Sequence, residues 1–182
     1  MNTKAVFLDR DGVINVDHGY VHKPEDFEFV DGIFEACRHF QSLGYLLIVV
    51  TNQSGIARGM YSEQQFQDLT EWMVGRFRDE GVEISRVYHC PHHPDYGTEQ
   101  ERHCHCRKPA PGMIEQGLEA FALTPEHCVM VGDKRSDMEA ARAAGLGRKI
   151  LVKSGQTLNP ADLELADEVW HSAAEAVQQA HH

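Results

Sequence analysis

Two acids one residue apart end an apolar run: FLDRDGVI, residues 7–14, carries Asp9 and Asp11. Burying paired carboxylates without partners is costly. Either the pair sits in a wet turn, opened by Asp9 and closed by Asp11-Gly12, or something cationic meets it. Candidate partners lie far along the chain: Thr51 and Asn52 close VVTN, Lys108 belongs to CRKPAPG, and Asp133 closes VMVGD. Carboxylate oxygens suit Mg²⁺, and together with an ammonium and a hydroxyl they suit a phosphorylated ligand. Cysteine raises a second question. Cys37 in GIFEACRHF and Cys128 in HCVMVGD read as buried small residues, whereas Cys90, Cys104 and Cys106 flank a polar, histidine-rich loop and ask for a metal.

These residues need elements to hold them. KAVFLD, GYLLIVVTN, ISRVYHC, HCVMVGD and RKILVKS read as strands, with DEVW a weaker sixth. Between them GIFEACRHFQSLG, SEQQFQDLTEWMVGRFRDEG, GMIEQGLEAFAL and SDMEAARAAGL have helical spacing, and SAAEAVQQA predicts a closing helix. Ser62 is a cap, and Gly44 and Gly81 are stops. Near-continuous Val, Ile and Leu in the strands implies a parallel sheet buried on both faces by crossover helices, a three-layer α/β domain. Asp9, Asp11, Thr51, Asn52 and Asp133 then lie after strands, where an open parallel sheet binds its ligand.

Bulk properties narrow the classes. The 182 residues, 42% hydrophobic, suffice for one full core. A net charge of -11 argues against a protein that holds nucleic acid by phosphate neutralisation. No apolar run reaches membrane-spanning length, and MNTKAVFLDRDG meets charge too early for a signal peptide, which predicts a cytoplasmic protein.

DRDGVI, VVTNQSG, RKP and VGDKRSD, in that order, resemble the haloacid dehalogenase superfamily; DRDGVIN, VDHGYVHKPEDFEF, TNQSGIARG and CHCRKPAPGM resemble its D-glycero-D-manno-heptose 1,7-bisphosphate 7-phosphatases. The similarity spans most of the chain. It implies one Rossmann-like phosphatase domain over residues 1–182, no large cap domain, and a short zinc-bound loop at 90–106. By the same resemblance Asp9 is the nucleophile, Asp11 the general acid/base, Thr51 a phosphate-holding hydroxyl, Lys108 the phosphate-stabilising ammonium and Asp133 the magnesium acid. Mg²⁺ would take Asp9, Asp133 and the Asp11 backbone carbonyl, leaving the Asp11 side chain for proton transfer. Asp137 anchors or orients the metal-bearing loop, and Arg10 points away from the phosphate centre.

Substrate contacts carry over as Asp17, His18, Gly19 and Tyr20 on one side and Thr51, Asn52, Gln53 and Ser54 on the other. Arg107 offers the non-reacting phosphate a planar fork, and Lys134 either joins it or balances nearby acids. The zinc ligands implied are Cys90, His92, Cys104 and Cys106, a closed Cys₃His set, with His93 as the alternative imidazole. The implied activity is removal of the C7 phosphate by a monomeric enzyme of heptose and lipopolysaccharide synthesis, without nucleic-acid or membrane partners. The histidinol-phosphate phosphatase branch shares the zinc loop and catalytic set, but DHGYVHKP and NQSGIARG favour the heptose branch. A phosphosugar-binding regulatory module is the non-enzymatic alternative, disfavoured by the presence of both Asp9 and Asp11.

Overall fold

The computed structural model describes residues 3–154 and 158–178. Its strands are β1 (Ala5–Leu8), β2 (Leu46–Asn52), β3 (Ile84–Cys90), β4 (Val129–Gly132), β5 (Arg148–Val152) and β6 (Glu168–Trp170). They form one parallel sheet in the order β3-β2-β1-β4-β5-β6, so every run expected to be a strand pairs, the weak sixth included.

Alternation along the strands feeds two cores. Val6, Leu8, Leu47, Val49, Val129 and Val131 point to one face, where α1 (Ile33–Ser42) and α2 (Glu63–Asp79) bring Phe40, Leu69 and Phe77. Ala5, Phe7, Ile48, Val50 and Met130 point to the other, beneath α4 (Gly112–Ala120) and α5 (Arg135–Ala143) with Ile114 and Met138. The layers are those of a three-layer α/β fold.

Two short helices, α3 (Glu99–Arg102) and α6 (Pro160–Leu163), were not expected. The first carries a reciprocal cap between Thr98 and Glu101; in the second the Asp162 side chain accepts the Asn159 N–H (3.0 Å) while the Asp162 N–H goes to the Asn159 backbone carbonyl (2.9 Å). The closing helix differs too: Ala173–Gln178 is a 3₁₀ helix, and residues 179 and 180 lie outside the described residues. Ala173 and Ala176 are both buried, and this i, i+3 spacing is the one that a 3₁₀ turn eclipses on a single face. Among the described residues, the segments after β1 and β3 are loops with single helical turns rather than a cap domain. No helix there is long and apolar enough to cross a membrane.

Candidate active site

Strand β1 has β2 on one side and β4 on the other, so the chain leaves the sheet in opposite directions at its carboxyl edge and opens a crevice there. Asp9, one residue beyond β1, is tied to β4 by its N–H to the Val131 carbonyl (3.1 Å). Lys108 reaches the same point from the loop before α4. Its Nζ donates to Asp9 Oδ1 (2.9 Å), Asp137 Oδ1 (2.5 Å) and the Val50 carbonyl (3.0 Å), using all three protons. Burial works against its charge, but the Asp137 and Asp9 carboxylates outweigh that and hold the Lys108 pKa above its ordinary value.

Asp133 is fully buried and neither of its carboxylate oxygens has a hydrogen-bond partner. Carboxylate oxygens of Asp9, Asp133 and Asp137 all lie within 4.8 Å of one another. Desolvation, then the charges of Asp9 and Asp137, push the Asp133 pKa up to about 10 in the metal-free fold. An orphaned, desolvated carboxylate beside two others is the donor set that a hard divalent cation satisfies, so these residues fit Mg²⁺.

Asp137 is 1% exposed and anchors its loop as expected: Oδ2 accepts the N–H groups of Asp133 (3.1 Å) and Lys134 (3.2 Å). The approach requires glycine at position 132, where a Cβ would stand 2.3 Å from that of Asp137. Because Asp137 Oδ1 also holds Lys108, one side chain couples the ammonium to the acidic loop.

Asp11 has a different shell. Arg10 lines no part of the cleft, but its side chain is not idle: it is 2% exposed and pairs with Asp11 Oδ1 at 3.1 Å. Asn15 and Gln53 donate to the same carboxylate. Thr51 is buried and its hydroxyl accepts from Gln53 Nε2 (2.9 Å). Asn52 uses both ends of its amide on the Lys108 backbone, Nδ2 to the carbonyl (3.1 Å) and Oδ1 from the N–H (3.0 Å), and so aims the lysine.

The cleft above these groups has a volume of about 530 Å³. Asp17, Gly19, Tyr20, Ser54, Arg107 and Lys134 line it. His18 does not; its ring pairs with Glu28 at 3.0 Å and faces a neighbouring hollow, because it lies on the far side of the turn that Asp17 closes on the Gly19 N–H. Burial pulls the Lys134 pKa down, but Asp133, Asp9, Asp137 and Asp17 together raise it. Ser136 and Tyr61 also line the cleft and were missed. Ser136 stands within the VGDKRSD motif, whereas Tyr61 has no local signal.

The cysteine cluster lies at the end of β3. Cys90, His92, Cys104 and Cys106 bring their donor atoms within 4.8 Å of one another, and all three cysteines are free thiols. Sγ separations are 2.7 Å for Cys90–Cys106, 3.5 Å for Cys90–Cys104 and 3.4 Å for Cys104–Cys106, with His92 Nδ1 3.6 Å from Cys106. His93 is engaged elsewhere, accepting the Asp95 N–H at 3.0 Å, and His89 and His105 pair with Glu63 and Glu115. Burial pushes the Cys104 thiol up, but hydrogen bonding to His92, Cys106 and the Arg107 backbone outweighs it and brings the pKa to about 6. Three thiols and one imidazole converging in this way have the donor chemistry of a closed zinc site. The loop then returns to α4 through the Gly112 N–H to the His105 carbonyl (3.0 Å), at an approach where a Cβ on Gly112 would stand 2.4 Å from that oxygen.

Residues 105–178 match the HAD-hydrolase-like family. Over 94% of its length the chain is 53% identical to the D-glycero-beta-D-manno-heptose-1,7-bisphosphate 7-phosphatase of Vibrio cholerae, covering 93% of that protein. The chain belongs to this 7-phosphatase family. The Escherichia coli K12 member is 49% identical over 96% of this chain and 92% of its own length. Among solved structures, the D,D-heptose 1,7-bisphosphate phosphatase of B. bronchiseptica, complexed with magnesium and phosphate, is 28% identical with a TM-score of 0.81, covering 96% of this chain and 97% of its own. The D,D-heptose 1,7-bisphosphate phosphatase of Burkholderia thailandensis is 27% identical with a TM-score of 0.65, covering 96% of this chain and 97% of its own.

Proposed function

We propose that this chain is a Mg²⁺-dependent phosphomonoester hydrolase that removes the C7 phosphate of D-glycero-D-manno-heptose 1,7-bisphosphate. The observation that carries the reading is the Lys108–Asp9 pair beside the unpartnered Asp133 carboxylate, in a chain half identical to relatives named for this reaction. Their name specifies the beta anomer, which we take as the substrate.

Asp9 Oδ1 is held by Lys108 and by the Arg10 N–H (2.9 Å), which leaves Oδ2 as the attacking atom. Oδ2 attacks phosphorus in line, the bond from phosphorus to the C7 oxygen breaks, and Asp11 gives that oxygen a proton. Asp11 next takes a proton from water as the water attacks the aspartyl-phosphate, releasing inorganic phosphate and the Asp9 carboxylate. The Thr51 hydroxyl donates to a phosphoryl oxygen, and the Lys108 ammonium, held beside Asp9 by its three acceptors, offsets the phosphoryl charge. Asp9, Asp133 and the Asp11 carbonyl would ligate Mg²⁺, which supplies positive charge against the anionic phosphate. Arg107 gives one N–H to the His92 carbonyl (3.2 Å) and offers the rest of its fork to the C1 phosphate. Asp17, Gly19, Tyr20, Ser54 and Lys134 line the sugar's path. We further infer a single-domain, monomeric, cytoplasmic enzyme.

Product analysis tests the reading. With the bisphosphate and Mg²⁺, inorganic phosphate should appear with one equivalent of heptose 1-phosphate. Retention of the C7 phosphate, or faster turnover of histidinol phosphate, would reject it in favour of different regiochemistry or the sister branch.

Magnesium should also stabilise the fold. Because the folded Asp133 pKa of about 10 stands above its ordinary 3.8, the metal-free fold holds a proton that the unfolded chain releases, and its stability falls as pH rises between those values. A cation that displaces this proton gains as pH rises. At about 100 times its Kd, Mg²⁺ should add about 2.7 kcal/mol, or roughly 5 to 11 °C in Tm, with a larger increment near pH ~8 than near pH ~6. Thermal melts with Mg²⁺ or chelator check this; an increment that shrinks with rising pH would count against Asp133 as a ligand.

Zinc in the Cys90, His92, Cys104 and Cys106 set is structural in this reading. It clamps the loop that presents Arg107 and Lys108. Cys104→Ser should lower zinc content and cut kcat/KM roughly tenfold, through looser positioning of Lys108. Elemental analysis beside kinetics separates the two effects; full zinc occupancy with unaltered kinetics would refute the coupling.

A further inference from the structure

The Asp11 carboxylate is held on three sides by side chains with no chemical step of their own. Arg10 Nη2 donates to both Asp11 oxygens (3.1 and 3.2 Å) and to the Val21 carbonyl (2.8 Å). Its Nε lies 3.4 Å from Asp11 Oδ1. A guanidinium that is 2% exposed and tied to Val21 cannot swing away without breaking that bond.

Asn15, fully buried, donates Nδ2 to Asp11 Oδ1 (3.0 Å) and to the Val16 carbonyl (3.2 Å), while its own Oδ1 has no partner. Turning the amide over would set its oxygen against two acceptors. Its orientation is therefore dictated by what Nδ2 must reach, and the orphaned oxygen is the consequence. Gln53 closes the third side: Nε2 donates to Asp11 Oδ2 (3.2 Å) and Thr51 Oγ1 (2.9 Å), and Oε1 accepts the Tyr61 hydroxyl. That last bond fixes which end of the amide faces Asp11. The Tyr61 ring is held in turn by stacking on His22, centroids 5.0 Å apart.

We propose that Arg10, Asn15 and Gln53 are positioning residues for proton transfer at Asp11, and that Tyr61 acts on Asp11 through Gln53. The proposal rests on Asp11 being the general acid/base. Gln53, expected from the sequence to touch substrate, lines the cleft, but both donors of its amide go to Asp11 and Thr51, and it acts through them. A carboxylate with about four acceptor sites, met by donors from three directions, has one orientation. Proton transfer is sensitive to that orientation, since a displacement of about 1 Å can cost on the order of 100-fold.

Leaving-group dependence separates positioning from mere folding. The alkoxide leaving the heptose needs a proton in the first step, whereas 4-nitrophenolate departs without one, and kcat/KM reports that step for both. Gln53→Ala and Tyr61→Phe should lower kcat/KM for the heptose bisphosphate roughly tenfold more than for 4-nitrophenyl phosphate, whose own loss reports the Thr51 contact that both substrates share. Asn15→Ala and Arg10→Lys should show the same split. Tyr61→Phe removes one oxygen and keeps the stacked ring, so it supplies a folded variant even if Arg10→Lys does not fold. Equal losses on the two substrates, or no loss on either, in folded Gln53→Ala and Tyr61→Phe would overturn the proposal. Asp11→Asn, measured alongside, keeps the two readings apart. If it lacks the leaving-group-dependent loss, the general-acid reading fails; if it alone has that loss, only the positioning proposal fails.

Discussion

Asp9→Asn should abolish turnover and raise the thermal midpoint of the metal-free protein. Loss of a nucleophile in an enzyme that works through a covalent intermediate costs roughly 10⁴- to 10⁶-fold in kcat. Stability moves the other way because the substitution suits the metal-free surroundings better than the native acid does. The introduced amide keeps an oxygen to accept from Lys108 and from the Arg10 N–H, as Asp9 Oδ1 does. Its nitrogen brings a donor to a place where both Asp133 oxygens have none. It also removes one of the charges that raise the Asp133 pKa. A gain of about 1 to 2 kcal/mol corresponds to roughly 2 to 8 °C for a chain of this size. Melts in chelator beside turnover in Mg²⁺ check both halves. A dead variant with a lowered metal-free midpoint would show that Asp9 holds the fold as well as the substrate.

Lys108→Met should lose both activity and stability. The substitution keeps most of the volume and removes the charge, leaving Asp9, Asp137 and the Val50 carbonyl without their shared donor. Lys108 is 3% exposed, Asp9 5% and Asp137 1%, so water replaces it poorly. Breaking a buried pair from one side costs about 3 to 5 kcal/mol, roughly 6 to 20 °C. Removal of a cation aimed at the reacting phosphoryl group should lower kcat by about 10²- to 10³-fold. Mg²⁺ should recover part of the stability, because it brings positive charge to the same carboxylates, and little of the turnover. Urea titrations with and without Mg²⁺ measure the first effect. An unchanged midpoint in chelator would mean that the Lys108 network adds nothing net to the fold.

The opposite signs of these two variants follow from an asymmetry in the site. Lys108 alone meets two of its three clustered carboxylates, and Asp133 is left for a metal. In the proposed reading, activity requires an arrangement that is destabilising by itself.

The alternation of apolar strands and periodic helices determined the three-layer parallel fold, since residues buried on both faces leave few other arrangements. The order of DRDG, VVTN, RKP and VGD along the chain determined which residues meet at the carboxyl edge. The convergence of three thiols and one imidazole at the end of β3 was legible because soft donors cluster for few other reasons. What the tertiary structure decided is where each side chain points. Adjacent residues in TNQS do different work: Thr51 is buried beneath Gln53, Asn52 clamps the Lys108 backbone, Gln53 faces Asp11 and Ser54 lines the cleft. His18 and Asp17 are neighbours in the chain, yet the turn at Gly19 directs only Asp17 into the cleft. Tyr61 enters the site from just before α2, a position that no local pattern marks. Spacing along a chain limits which residues can share a site and accounts for local bonds such as Asn15 to Asp11; Gln53 to Asp11, Asn52 to Lys108 and Lys108 to Asp9 join segments dozens of residues apart, and only packing brings those donors and acceptors into reach.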